Sequence, residues 1–307
     1  MKIKRLLAFL LIVLVLLAGC TNKKAEKDPT DDGVLRILMI GNSFCYYFTD
    51  ELYGMLEKAG IQAEVCNVYY SGCLVKQHET WLKSGLPNYV YITTTKAGKE
   101  TNEKWSLKKC LADKEWDVIT LQQHFEPNVA TDLERAKDET LTYTKTLYDY
   151  LKKNHPYADL YWQQTWAYQV GYTGPAGMNP NQFTDEKKVL TVEKQTLNYQ
   201  NIREVALEVC KQNKVQRIPS GDAWQLARAN SLIGDTLCNK NGQSSGDNYH
   251  DGDTGGGQFL NACVWFEVIA GRSCVDNAFK PNYNLSDAKI AELKKAAHQA
   301  VKDMKDK

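Results

Sequence analysis

The sequence lacks cysteines at CxxC spacing, although it contains nine cysteines. Zinc ribbons and thioredoxin-like redox sites both need two thiols at that spacing, so the absence argues against both classes. The acidic, glycine-rich stretch from Asp251 to Gly257 also lacks the ordered ligands and the final glutamate of an EF-hand calcium loop. A flexible entry into the following helix explains this stretch better. We therefore expect the protein to use neither a metal ion nor a cofactor.

Long hydrophobic runs are lacking beyond the N-terminus. The run Leu6–Ala18 follows three basic residues and is too short to span a bilayer comfortably, as in a secretory signal peptide. It ends in Leu-Ala-Gly-Cys, which resembles the lipobox of bacterial lipoproteins, where the cysteine is lipidated and becomes the mature N-terminus. We expect residues 1–19 to be a lipoprotein signal peptide, Cys20 to carry the lipid and residues 20–33 to form a flexible tether. The alternative is an ordinary signal peptide with an incidental cysteine.

The sequence also lacks an excess of either positive or negative charge. The chain carries 38 Lys and Arg against 37 Asp and Glu, and loss of the three basic residues in the signal peptide lowers the first number to 35. This balance gives no basic surface for nucleic acid, so we expect no nucleic-acid partner. The expected location is the bacterial cell envelope, outside the cytoplasm, with a lipid anchor rather than a membrane span. The choice of membrane and the oligomeric state stay open.

The remaining residues, 34–307, contain no internal repeat, and their length suits one domain with a large core. Short apolar runs alternate with helical patterns, which predicts a three-layer α/β/α fold with a parallel sheet of about five strands. Tyr89–Lys104 is predicted as an insertion and Gly171–Phe183 as a long surface loop. The predicted strands are Leu35–Ile40, Ala63–Tyr69, Asp117–Leu121, Leu160–Thr165 and Val215–Pro219, and the predicted helices include Tyr47–Ala59, Thr131–Lys153, Val192–Gln212, Gln258–Ala270 and Asp287–Met304.

Small and polar residues follow three of the predicted strands. Ser43 comes just after the first strand, in the stretch VLRILMIGNSF, and Gly72 and Gln123 follow the second and the third. Ligands of parallel α/β sheets bind beyond the carboxyl ends of the strands, so these three positions should meet at one edge. A serine at such a turn serves either as a helix cap or as a nucleophile, and the surrounding residues leave both roles open.

A nucleophilic serine needs a base and a group that orients the base. Of the five histidines, His250 is the best placed, because Asp247 stands three residues before it in a loop that leads into an apolar helix. At this spacing the carboxylate can accept a hydrogen bond from one ring nitrogen and leave the other nitrogen facing the serine. His124, which follows the third strand, is a second histidine near the predicted edge.

These residues together resemble the SGNH, or GDSL-like, hydrolases, with GNSF as the first motif, SGC as the second and DNYH as the last. The chain resembles in particular a bacterial branch recorded mainly as a domain of unknown function, whose landmarks here are ILMIGNSF, WDVITLQQ and TWAY, and the likeness extends from Val34 to Arg272. The resemblance implies a flavodoxin-like fold, no metal and esterase-type acyl transfer. It further implies that Ser43 is the nucleophile, His250 the base and Asp247 the residue that orients the base.

Two motifs depart from the family pattern. Asn42 replaces the aspartate of the usual Gly-Asp-Ser, which costs little because that residue is not the nucleophile. The third motif is usually Gly-x-Asn-Asp, whose asparagine donates to the oxyanion, whereas this chain has Leu-Gln-Gln-His at residues 121–124.

The expected oxyanion hole combines two backbone groups with one side chain. They are the N–H groups of Ser43 and Gly72 and the side-chain amide of Gln123. His124 and Asn128 are the alternatives to Gln123.

Several residues near this edge are candidates for other roles. Cys45 and Cys73 follow the first two strands, so they form either a disulfide or a pair of buried free thiols. The aromatic residues that follow the fourth strand either line the cleft or pack in the core. The candidates for substrate contact are Gln122, His124, Trp166 and Tyr168.

We expect a lipid-anchored serine esterase that acts on an acyl ester, either a small molecule or a glycan that carries acyl groups such as acetyl. Location and aromatic content alone suggest the glycan. The competing class is a non-catalytic, glycan-binding surface lipoprotein on the same fold, which the altered third motif keeps open. A lipase would need an apolar lid, and the loop Gly171–Phe183 is too polar to form one.

Overall fold

Strand β1 (Leu35–Gly41) carries apolar side chains on both of its faces. Ile37 and Met39 pack into one hydrophobic core, and Leu38 and Ile40 pack into another. A strand that is apolar on both faces belongs inside a sheet that helices cover on two sides. The first apolar run after the predicted tether therefore forms a central strand of a three-layer fold.

The computed structural model of the chain describes residues 32–125, 133–171, 190–240, 243–244 and 255–306. The predicted signal peptide and all but the end of the predicted tether lie outside these ranges, as does nearly all of the predicted loop Gly171–Phe183. None of the helices within the ranges combines the length and the apolar composition that a bilayer crossing requires.

Seven strands form one sheet in the spatial order β4-β3-β2-β1-β5-β6-β7. Five of them, β1, β2, β5, β6 and β7, run parallel and follow the flavodoxin-like order among themselves. They are the five strands predicted from the sequence, so the predicted fold class is confirmed. After β1 come β2 (Ala63–Tyr69), β3 (Tyr89–Thr95), β4 (Gly98–Trp105), β5 (Val118–Gln122), β6 (Asp159–Gln163) and β7 (Gln216–Ile218), and a separate ribbon pairs β8 (Asn239–Lys240) with β9 (Gln243–Ser244).

The hairpin β3–β4 differs from the prediction. The sequence predicts an insertion at Tyr89–Lys104, and the structure instead adds two antiparallel strands beside β2. The tyrosines and the three consecutive threonines favour a strand because β-branched and aromatic side chains fit a pleated surface. Strand β4 at the sheet edge is largely exposed and carries lysines and glutamates, which discourages pairing with a second molecule.

Helices cover both faces of the sheet. One core lies against α2, α7, α8 and α9, and the other lies against α3, α4, α5 and α6. As predicted, α8 is apolar nearly all round and buried along most of its length, and the helix predicted from Tyr47 begins at Thr49. The helices are α1 (Ser43–Tyr46), α2 (Thr49–Lys58), α3 (Val75–Ser84), α4 (Leu107–Leu111), α5 (Leu133–Asn154), α6 (Val192–Asn213), α7 (Ser220–Ala229), α8 (Gly257–Ala270) and α9 (Asp287–Lys305).

A buried histidine packs beneath the connection between β2 and α3. His78 on α3 is fully buried, and its Nδ1 lies 2.8 Å from the hydroxyl oxygen of Tyr89 and 3.7 Å from Sγ of Cys73. Burial lowers the pKa of His78 to about 3. The ring is therefore neutral in the folded protein at neutral pH.

His78 should weaken the fold as the pH falls. An unfolded histidine takes up its proton near pH 6.5, whereas folded His78 takes it up only near pH 3, so between these values the proton binds the unfolded chain more tightly. The free energy of unfolding should lose roughly 1.4 kcal/mol from this group for each pH unit in that window. Urea unfolding at pH 7 and pH 4.5 should therefore show a smaller pH dependence in His78→Phe than in the wild type. Equal pH dependence in the two proteins would contradict this role of His78.

Candidate active site

Three connections meet at the carboxyl edge of the sheet. Strand β1 lies between β2 and β5 and is parallel to both, and the last residue of β1 is level with the last residue of β2. The residues that follow these strands, Ser43, Gly72 and Gln123, are therefore brought to the same edge, although they are far apart in the sequence. Their catalytic roles stay predictions, and the contacts of each side chain show what it can do there.

The residue that caps α1 is Asn42. Its backbone is extended, and its Oδ1 accepts a hydrogen bond of 3.0 Å from the N–H of Phe44. Ser43 is the first helical residue and is 6% exposed. The helix-cap interpretation of Ser43 is therefore wrong, because the preceding asparagine already satisfies a free N–H of the first turn.

The Asn42 side chain also holds three connections together. Its Oδ1 accepts a second hydrogen bond, of 2.7 Å, from Nε2 of Gln122, and its Nδ2 donates to the carbonyl of Cys73 at 2.9 Å. The same Nδ2 lies 2.9 Å from Nδ1 of His124. The sequence comparison treats Asn42 as a tolerated replacement for aspartate and misses this role, because these partners lie 31 to 82 residues away.

The connection after β2 is a tight turn that requires Gly72. The N–H of Cys73 donates to the carbonyl of Tyr70 at 3.2 Å, and Gly72 has a φ of 64°. A positive φ at the third position of such a turn favours glycine, since a Cβ would be strained there. No heavy atom lies within 4 Å of the place that a Cβ would occupy. The Cα of Gly72 therefore faces open space at the edge of the sheet that carries Ser43.

The amide of Gln123 is engaged inside the protein. Its Oε1 accepts from the N–H of Val75 at 3.1 Å, and its Nε2 donates to Oγ1 of Thr140 at 3.2 Å. The side chain thus joins α3 to α5, and the residue is only 9% exposed. The Gln123 amide therefore links two helices, a structural role that the sequence motif does not indicate.

Gln122 lies beneath the turn that carries Ser43. It is fully buried, and a Cβ added to Gly41 would lie 2.4 Å from its Nε2, so only glycine fits at the end of β1. The prediction that Gln122 contacts the substrate is corrected on this evidence, because its side chain does not reach the surface.

The two aromatic candidates for substrate contact are buried as well. Trp166 is 1% exposed and stacks on Phe44 and Trp224, with ring centroids 4.6 and 4.4 Å apart. Tyr168 is 2% exposed and meets Phe44 edge to face. Neither ring has an open face on which a sugar could stack, so the core alternative replaces the cleft-lining prediction.

His124 differs from its two glutamine neighbours because it is only partly buried. Its ring stacks on Phe44 with centroids 5.5 Å apart, and its Nδ1 contacts the side chain next to Ser43. Of the two described side chains after β5 that the sequence singles out, Gln123 and His124, the histidine is the more exposed and contacts the residue that precedes Ser43.

The remaining site predictions lie outside the described residues. These are the base His250, its orienting residue Asp247, the alternative oxyanion donor Asn128 and the lipidated Cys20. Within the described ranges, no group of three or more His, Cys, Asp or Glu side chains is arranged to hold a metal ion.

The eight cysteines of the described ranges are all free thiols. The disulfide between Cys45 and Cys73 is therefore wrong, and the alternative of two buried thiols is confirmed. Burial raises the pKa of Cys45 to about 12, and its Sγ contacts Nδ2 of Asn67 at 3.4 Å. Cys45 lies two residues after Ser43 but is too well buried and too weakly acidic to act as a nucleophile.

The fold and this edge together define a class: an α/β/α protein with flavodoxin-like strand order and a serine at the end of its central strand. Residues 36–300 match the model of the family described as "Domain of unknown function (DUF4886)", and the chain belongs to this family.

The chain is also similar to proteins of known structure. A DUF4886 family protein from Bacteroides uniformis is 25% identical, with a TM-score of 0.69 over 87% of this chain and 95% of its own. An acetyl xylan esterase is 11% identical, with a TM-score of 0.45 over 76% of this chain and 100% of its own. A GDSL-like lipase from Bacteroides thetaiotaomicron is 9% identical, with a TM-score of 0.40 over 77% and 88%.

No curated protein matches the chain. The resemblance predicted from the motifs is nevertheless confirmed at the level of the family and the fold.

Proposed function

We propose that the protein is a serine esterase with Ser43 as the nucleophile, His250 as the base and Asp247 as the residue that orients the base. The position of Ser43 carries the proposal. It stands at the carboxyl end of the central strand, it is not needed as a helix cap, and the glycine turn that follows the neighbouring strand lies at the same edge of the sheet. This placement supports the proposal, because acyl transfer needs a serine close to backbone N–H groups that can bind an oxyanion.

In the proposed reaction, Oγ of Ser43 attacks the ester carbonyl carbon while His250 accepts the hydroxyl proton. The carbonyl oxygen becomes an oxyanion that accepts hydrogen bonds from the N–H groups of Ser43 and Gly72. His250 then returns the proton to the leaving alcohol, and water hydrolyses the acyl-enzyme by the same steps. Helix α1 is only four residues long, so discrete N–H groups rather than a long helix dipole would stabilise the charge.

Hydrolysis of p-nitrophenyl acetate by the purified protein tests this function, with Ser43→Ala as the matched control. The proposal requires release of p-nitrophenol by the wild type and its near-complete loss in the variant. A wild type that is inert on every acyl ester tested would favour the competing class, a binding protein on an esterase fold.

The proposed substrate is an acylated glycan, and partly exposed aromatic rings around the site support it. Tyr46 follows Ser43 by one turn, and its ring centroid lies 4.9 Å from that of Tyr69. Tyr70, which is 39% exposed, meets Trp81 edge to face at 4.8 Å. Flat amphipathic rings of this kind offer large contact area for the faces of sugar rings.

Loss of the Trp81 ring should impair the use of glycan substrates only. In Trp81→Ala, the KM for O-acetylated oligosaccharides should rise about tenfold, which corresponds to roughly 1.4 kcal/mol of binding, while turnover of p-nitrophenyl acetate stays within twofold. Trp105→Ala is the control, because this tryptophan stacks on Tyr91 next to the hairpin edge. Equal effects of the two variants on the oligosaccharides would argue against a stacking surface at Trp81.

We propose further that lipid on Cys20 anchors the protein to the outside of the cell envelope, on the evidence of the lipobox-like motif. Cys20→Ala should abolish labelling by a fatty-acid probe and move the protein from the membrane fraction to the soluble fraction. Labelling that persists in the variant would show that another residue holds the lipid.

A further inference from the structure

We propose that His124 is the third donor to the oxyanion, and that Asn42 sets the ring tautomer that allows it to donate. The donor role rests on the proposed esterase function. The tautomer does not, because the contacts of the folded protein determine it.

The orientation of the Asn42 amide is fixed by two backbone groups. The N–H of Phe44 can only donate, so the atom 3.0 Å from it must be the oxygen, Oδ1. The carbonyl of Cys73 can only accept, so the atom 2.9 Å from it must be the nitrogen, Nδ2. A flipped amide would place oxygen against oxygen and nitrogen against nitrogen. Asn42 is fully buried, so water cannot compensate for such a flip.

This orientation determines which nitrogen of His124 carries the proton. Nδ2 of Asn42 can only donate a hydrogen bond, and it lies 2.9 Å from Nδ1 of His124. Nδ1 must therefore be the acceptor and carry no proton. The proton of the ring is then on Nε2, on the side of the ring away from Asn42. Asn42 thus makes Nε2 of His124 a hydrogen-bond donor.

His124 is a better oxyanion donor than Gln123 on the evidence of their contacts. The Gln123 amide is held between Val75 and Thr140, whereas the His124 ring is partly exposed and contacts the residue that precedes Ser43. An oxyanion donor must be preorganised before the charge develops. The bond from Asn42 and the stacking on Phe44 supply that preorganisation, since they fix both the proton and the plane of the ring.

The aspartate of the usual family motif would not select the same tautomer of His124. An aspartate at position 42 would present an oxygen to Nδ1 of His124, and this oxygen could only accept. Nδ1 would then need to carry a proton. The asparagine of this chain and the histidine of its altered third motif are therefore expected to function as a pair.

Nitrogen NMR of the histidine rings tests the tautomer directly. Protein labelled with ¹⁵N-histidine is measured at pH 8, and the His124 signals are assigned by their absence from His124→Phe or, should that variant not fold, from His124→Asn. The wild type should show an unprotonated Nδ1 and a protonated Nε2. In Asn42→Asp, Nδ1 should change to the protonated type. A protonated Nδ1 in the wild type, or an unprotonated Nδ1 in Asn42→Asp, would overturn the role of Asn42.

Kinetics on p-nitrophenyl acetate test the donor role. His124→Phe keeps a flat ring against Phe44 but cannot donate, so kcat should fall on the order of 10²- to 10³-fold with little change in KM. His124→Asn restores a donor and should recover at least tenfold of that loss. A kcat in His124→Phe within threefold of the wild type, or no recovery in His124→Asn, would overturn the donor role. A wild type that is inert on all esters would instead overturn the proposed function, and the donor role with it, whereas the NMR result would still decide the tautomer.

Discussion

Ser43→Ala and His250→Ala should each lower the turnover of p-nitrophenyl acetate on the order of 10⁴-fold or more, and the double variant should be scarcely worse than either single one. Residues that act as one catalytic unit give non-additive losses, because removal of either one abolishes the same step. Asp247→Ala should lower the turnover less, since this residue orients the base and does not transfer the proton. Activity should also fall as the pH drops through about 6.5, because a protonated base cannot accept the serine proton.

His155→Ala is the matched control for these variants. His155 precedes β6 and therefore lies at the amino edge of the sheet, opposite the edge that carries Ser43. Its replacement should leave turnover within twofold of the wild type. Additive losses in the double variant would show that Ser43 and His250 act in separate steps. A fully active His250→Ala would show that another group is the base.

Trp224→Ala should reduce the free energy of unfolding by about 3 to 5 kcal/mol, measured by urea denaturation. The side chain is fully buried, and its ring stacks almost parallel on Trp166 at 4.4 Å. Its Nε1 also donates to Oδ1 of Asn261 at 2.8 Å, so truncation leaves a buried acceptor without its donor as well as a cavity. Because Trp166 stacks in turn on Phe44, this loss should loosen the support beneath the proposed site.

Two further substitutions test the contributions of the aromatic stack and of the hydrogen bond to Asn261. Trp224→Phe keeps an aromatic ring in the stack and loses the hydrogen bond to Asn261. It should therefore reduce the free energy of unfolding, but by less than Trp224→Ala. Leu226→Ala lies on the same helix, α7, and removes a side chain that is 38% exposed, so its cost should stay below about 1 kcal/mol. A Trp224→Ala variant no less stable than Leu226→Ala would contradict the role of the aromatic stack.

The central strand illustrates what could be predicted from the sequence. The run at Leu35–Ile40 is apolar except for Arg36, and such a run is typical of a strand or helix that is buried on most sides. Its short length and the glycine that follows favour the strand. The other four parallel strands follow from the same pattern, and their parallel direction follows from the helical stretches between them. The prediction failed at the hairpin β3–β4. Strand β4 is polar because a strand exposed at the sheet edge need not be apolar, and β3 ends in three threonines that interrupt its apolar pattern.

The candidate site shows the limit of motif comparison. The motif predicts Gln123 as an oxyanion donor from its place after β5, yet Val75 and Thr140 bind its amide. Trp166 follows β6, where a cleft residue would stand, yet Phe44 and Trp224 cover its ring. In both cases the residue follows a strand at the predicted edge of the sheet. The contacts of its side chain, however, are determined by residues from distant segments of the chain.

The sequence alone was sufficient to predict the five parallel strands, the long helices and the edge at which Ser43, Gly72 and the residues after β5 meet. These features depend on local periodicity and on the rule that parallel strands end at a common edge. Only the tertiary structure decided that Asn42 caps α1 and contacts His124, 82 residues away. Hydrogen bonds of this kind depend on which donors and acceptors face each other once the strands are paired, and no local pattern in the chain carries that information.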